Sequence, residues 1–89
     1  MLVKLIEVFK PEGERLHLDE IHVSPDAVKM IRKETNVNMI NEAHSLGIVN
    51  NAEFSRITIN EGTLARTITV VGSPEELRRK LNKRQILRG

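Results

Sequence analysis

The sequence predicts an α+β two-layer sandwich: a four-stranded antiparallel sheet with helices on one face, in the order β-β-α-β-β-α. Three observations predict it. Two pairs of short segments rich in Val, Ile, Leu and Thr are each joined by a turn containing Gly. Each pair is followed by a Ser-Pro helix start. No stretch is long or polar enough to act as a linker, so residues 1–89 read as one small domain.

Leu2 to Phe9 carries apolar residues at both parities, the pattern of a strand with little solvent on either face, central in a sheet. Lys10-Pro11-Glu12-Gly13 follows as a turn, with Pro at its second position and Gly at its last. Arg15 to Val23 returns as the second strand of a hairpin. Leu16 and Leu18 share one parity, Ile21 and Val23 the other. A bulge near Asp19-Glu20 would bring all four to one side.

Ser24-Pro25-Asp26 reads as a helix start, with a cap, a first-position Pro and an acid at the positive end of the dipole. Ala27, Met30, Ile31 and Glu34 continue at helical spacing, with Val28 beside them. Thr35-Asn36-Val37-Asn38 is a weak helix former. Met39, Ile40, Ala43 and Leu46 then resume the stripe, and Gly47 suits its C-cap. One long helix bent near Asn36 is the first expectation; two shorter helices are the second.

Asn50-Asn51 reads as a loop. Phe54 to Asn60 alternates as a strand with Ile57 and Ile59 on one side. Asn60-Glu61-Gly62 turns the chain, and Leu64 to Val71 is the clearest strand. After Gly72, Ser73-Pro74-Glu75-Glu76 is a capping box opening a helix to about Arg84, anchored by Leu77 and Leu81. Ile86 and Leu87 extend it or dock separately, and residues 84–89 form a candidate basic tail. The two β-β-α halves share little beyond their Ser-Pro caps, so duplication is not inferred.

The core must be aliphatic, because Phe9 and Phe54 are the only aromatics. There is no Cys, which excludes disulfides, thiolate metal sites and a Cys nucleophile, and fits a reducing compartment. The opening residues contain Lys4 and Glu7 and lack a signal-peptide cleavage pattern, and no run approaches a membrane span. The expectation is a cytoplasmic protein with no membrane partner, or one inside the host cell if the gene is viral.

Chemistry-bearing residues are scattered. His17, His22 and His44 show no ligand spacing, so no metal is expected. Glu12, Glu14, Asp19, Glu20, Glu75 and Glu76 sit at turns, a bend and a helix start, where solvent and dipole account for them. Ser24 and Ser73 are caps, and Ser45 and Ser55 have no base near them in sequence. No nucleophile elbow or phosphate-cradling Gly loop is present. A non-enzymatic protein with no cofactor and no small-molecule substrate is therefore expected.

Val28-Lys29-Met30-Ile31-Arg32-Lys33-Glu34-Thr35 resembles the helix that follows the GXXG loop in KH RNA-binding domains. Ile68-Thr69-Val70-Val71-Gly72-Ser73-Pro74-Glu75-Glu76-Leu77 is similar to that family's final strand and helix start. Together they cover about a fifth of the chain. The resemblance implies RNA as a partner. Ser24-Pro25-Asp26-Ala27 stands where the GXXG loop would clamp the nucleic-acid backbone, and the segment before it reads as strand where the family has helix.

Charge is unevenly placed. Residues 78–89 carry six basic side chains and no acidic one, whereas residues 1–77 carry 8 basic and 12 acidic. Part of this is helix chemistry: Glu75 and Glu76 at the start and bases afterwards complement the dipole. The functional reading is a partner-binding surface made of Arg78, Arg79, Asn82, Lys83, Arg84, Ile86, Leu87 and Arg88. An acidic protein surface, including that of a second copy, fits such a patch. Nucleic acid is the alternative, but the acidic body repels it and no Tyr or Trp is available for stacking. The expected function is a small protein-interaction or assembly module.

Overall fold

A computed structural model describes residues 2–45, 47 and 53–88, apart from the side chains of Val37 and of residues 83–88. The expected loop at Asn50-Asn51 and the expected core position Leu46 lie outside the described residues. In chain order the elements are β1 (Val3–Phe9), β2 (His17–Val23), a single 3-10 turn (Pro25–Ala27), β3 (Val28–Lys33), α1 (Val37–Ser45), β4 (Phe54–Glu61), β5 (Leu64–Val71) and α2 (Pro74–Arg88). The sheet is antiparallel throughout, in the order β2-β1-β5-β4-β3. The fold is α+β as expected, with five strands among the described residues where four were expected.

The extra strand lies where a helix was expected. Ser24-Pro25-Asp26 does start a helical turn, closed by the Ala27 N–H on the Ser24 carbonyl at 2.9 Å. It stops after Ala27, and Val28–Lys33 pairs with β4. The register explains the misleading pattern. Val28 lies opposite Ile59 and Ile31 opposite Ile57, so three residues of β3 span two of β4. Lys29 is the extra residue of a bulge. A bulged strand thus places residues i and i+3 on one face, as a helix does. Pairing with β4 satisfies backbone groups and packs Val28 and Ile31 against the core, which outweighs local propensity. The stretch resembling a KH helix is therefore strand, and that part of the resemblance is lost.

The helix after it starts afresh. Asn36 is its N-cap: the Asn36 side-chain oxygen accepts from the Met39 N–H at 3.1 Å, and its carbonyl accepts from Ile40. Beyond Ser45, Gly47 adopts φ +68° and donates to the His44 carbonyl. At α2 the capping box is complete: Ser73 Oγ accepts from the Glu76 N–H, and Glu76 Oε1 accepts from the Ser73 N–H, both at 3.1 Å. The helix runs to Arg88, past the expected end near Arg84.

The helices lie on opposite faces of the sheet, a second correction. Val3, Leu5, Val23, Ile57, Ile59, Ile68 and Val70 form one face and pack with Leu77 and Leu81 of α2. Val8 and Phe54 have the other parity and pack with Leu16 and with Ala43, Met39 and Ile40 of α1. This two-sided burial removes the need for the bulge expected at Asp19-Glu20. β1 and β2 pair without a break from Val3↔Val23 to Phe9↔His17. Ile21 and Val23 serve the α2 face, Leu16 the α1 face, and Leu18 stays exposed. The hairpin turn is also shifted by one: the Glu14 N–H donates to the Pro11 carbonyl, with Gly13 third at φ +76°.

Candidate interaction surface

The strand order leaves β2 and β3 as the outer strands. On β2 the exposed acids are Asp19 and Glu20, with Glu12 and Glu14 in the turn before it. On β3 the exposed charges are Lys29, Arg32 and Lys33, all basic. Exposed acids thus mark one edge of the sheet and exposed bases the other, and Lys29 of that basic edge lines a groove with Arg78 of α2.

Among the described residues no strand pairs with the outer side of β3. The Glu34 N–H donates to the Phe54 carbonyl at 2.9 Å, which sets the alternation of hydrogen-bonded pairs. Arg32 faces β4 in the same way, so the N–H and C=O of Ile31 and Lys33 point away from the sheet. Lys residues and a bulge are features that keep such an edge from pairing with its own like.

Alongside, a shallow groove of about 300 Å³ separates β3 from α2. Its lining combines apolar Val28, Ile31 and Leu81 with exposed Lys29, Arg78 and Asn82. Two residues of the expected partner surface, Arg78 and Asn82, are thus brought against β3. Arg79 is exposed on α2 but does not line this groove. The side chains of Lys83, Arg84, Ile86, Leu87 and Arg88 lie outside the described residues. Sequence reading missed Lys29, Arg32 and Lys33 because it placed them on a helix. The usable signal was Asn36 before Val37, Met39 and Ile40, an N-cap that puts the helix start later and frees the preceding residues to be strand.

On the α1 face a second hollow, about 330 Å³, adjoins Lys10, Leu16, Glu34, Asn36, Arg56 and Thr69. Glu34 is only 5 % exposed. Its Oε2 accepts from the N–H groups of Thr35 and Asn36, both at 3.0 Å, and its Oε1 accepts from Thr69 Oγ1 at 2.7 Å. Arg56 Nε lies 3.8 Å away. A carboxylate held by three hydrogen bonds and an arginine is a strut between β3, α1 and β5. Nearby, Glu42 of α1 accepts from Lys10 Nζ at 3.0 Å and from the Leu16 N–H at 3.3 Å. The Lys10 hydrogen bond, then that of Leu16, holds the Glu42 carboxyl below the usual range. Glu76 is lowered likewise by its bonds with Ser73.

The histidines are dispersed. His17 contacts Glu14 at 3.2 Å and stacks on Phe9, His22 lies 3.4 Å from Glu20, and His44 tilts against Phe54. Among the described residues no three His, Asp or Glu groups converge as a metal site, and no helix is long and apolar enough to cross a membrane. Comparison with protein-family models, with curated proteins and with solved structures returned no match.

Proposed function

We propose that the chain is a small non-enzymatic interaction or assembly module whose basic side, β3 with α2, docks an acidic extended segment of protein. The observation that carries this reading is the open edge of β3. It offers outward backbone groups at Ile31 and Lys33, bases at Lys29, Arg32 and Lys33, and the apolar groove toward Arg78 and Leu81. Strand addition obtains affinity from main-chain hydrogen bonds and specificity from alternate side chains. Opposite charge speeds encounter and excludes wrong partners. Bases of β3 and α2 also attract phosphate, but they come with no aromatic platform for bases.

Fluorescence anisotropy with a labelled Glu-rich extended peptide tests the reading, with RNA and DNA oligomers of equal charge measured beside it. The peptide should bind at low salt and lose affinity in Lys29→Glu and Arg78→Glu. Nucleic acid bound while the peptide is not would replace this reading with nucleic-acid binding. Peptide affinity unchanged in both variants would remove the surface from consideration.

A further inference from the structure

The interaction reading leaves open which acidic strand is docked, and the other edge of the same sheet answers it. β2 and β3 run in the same direction, because three antiparallel strands separate them in the order β2-β1-β5-β4-β3. A copy added edge to edge, with the sheet faces kept aligned, therefore sets β2 parallel to β3. Resting on the interaction reading, we propose that β2 of one copy adds to β3 of the next, extending the sheet head to tail.

Side chains on the two edges match in one register. Met30 and Arg32 of β3 share the α1 face with Leu18 and Glu20 of β2. Placing Met30 beside Leu18 places Arg32 beside Glu20. Leu18 and Met30 are 44 % and 47 % exposed, an apolar residue on each edge that this register would cover. On the α2 face the same register sets Lys33 diagonal to Asp19. Parallel edges are ordinary sheet neighbours and need no change of backbone.

Charge disfavours the symmetric alternatives. Two β2 edges would bring Asp19 and Glu20 close to the same acids of a second copy, and two β3 edges would bring Lys29, Arg32 and Lys33 close to its bases. Like charges directly opposite destabilise a strand pair. The unlike pairing is heterologous, so association continues into open chains unless rotation closes a ring.

The test is light scattering across concentration and salt, with far-UV circular dichroism confirming that each variant folds. The wild-type mass should rise above 10.1 kDa with concentration at low salt and fall as salt screens the charges. Asp19→Lys with Glu20→Lys makes both edges basic; Arg32→Glu with Lys33→Glu makes both acidic. Each variant alone should stay monomeric, and their equimolar mixture should associate again. A mixture that stays monomeric while the wild type associates overturns the proposal, as does association lost in only one variant, the mark of a symmetric contact. A monomeric wild type that still binds the Glu-rich peptide also overturns it, yet leaves the interaction reading standing. Association untouched by either reversal, with no peptide binding, overturns both.

Discussion

Thr69 Oγ1 donates a 2.7 Å hydrogen bond to Glu34 Oε1, linking residues 35 positions apart and carrying the end of β3 across β4 to β5. The acceptor is a nearly buried carboxylate, so the bond is charge-assisted. Thr69→Val keeps the shape and removes the donor. It should cost about 1.5–3 kcal/mol in equilibrium urea unfolding. Thr67→Val breaks the exposed Thr58–Thr67 contact and should cost less than about 1 kcal/mol. Equal losses in the two variants would contradict the strut role of Glu34.

Leu16 and Leu18 share a parity, yet Leu16 is buried with α1 and Leu18 is exposed. Leu16→Ala should lower stability by about 2–5 kcal/mol. Leu18→Ala should stay within about 0.5 kcal/mol. Comparison of urea midpoints at equal m-value decides it; matched losses would mean that the α1 face is packed differently.

The two helix caps are independent features. Asn36→Ala and Ser73→Ala should each cost about 1 kcal/mol by loss of an N-cap acceptor. Chemical denaturation followed at 222 nm reports both. Asn36→Asp should keep most of the wild-type stability, because its carboxylate still accepts from the Met39 N–H.

Stability should also fall with acid, in a direction set by Glu42 and Glu76. Both carboxyls titrate below their ordinary value in the folded chain. Their contribution is complete above the unfolded carboxyl range, near pH 4.3 for Glu, and disappears as pH drops through the lower folded values. Glu42→Gln and Glu76→Gln should flatten this acid limb of a urea-midpoint profile. A profile as steep in the double variant as in the wild type would rule out these two groups as its source.

Gly72 closes β5 at φ +123°, and a Cβ there would meet the Leu77 side chain at 3.3 Å. Its N–H donates to the Glu53 carbonyl and its own carbonyl accepts from Ser55 Oγ at 2.7 Å. Gly72→Ala should therefore destabilise by more than about 1 kcal/mol, read as a lower urea midpoint. A neutral result would mean that the β5–α2 junction relaxes without cost.

Local chemistry specifies four of the strands and one of the helices. β1, β2, β4 and β5 follow from runs of β-branched and apolar residues around Gly turns. α2 follows from Ser73, Pro74 and Glu76, whose cap closes within four residues of chain. The basic character of α2 is legible for the same reason. Tertiary structure alone decided the rest. Val28–Lys33 has a spacing that suits a helix or a bulged strand equally, and the edge of β4, at Ile57 and Ile59, selects the strand. The opposite placement of α1 and α2 depends on both faces of β1 being buried, which parity permits but does not assign. The candidate surface depends on that same step. Only when β3 joins β4 do Lys29, Arg32 and Lys33 become an edge, set beside Arg78 and across the sheet from Asp19 and Glu20. Long-range pairing, not local propensity, creates that arrangement, because an edge exists only once its sheet has been assembled.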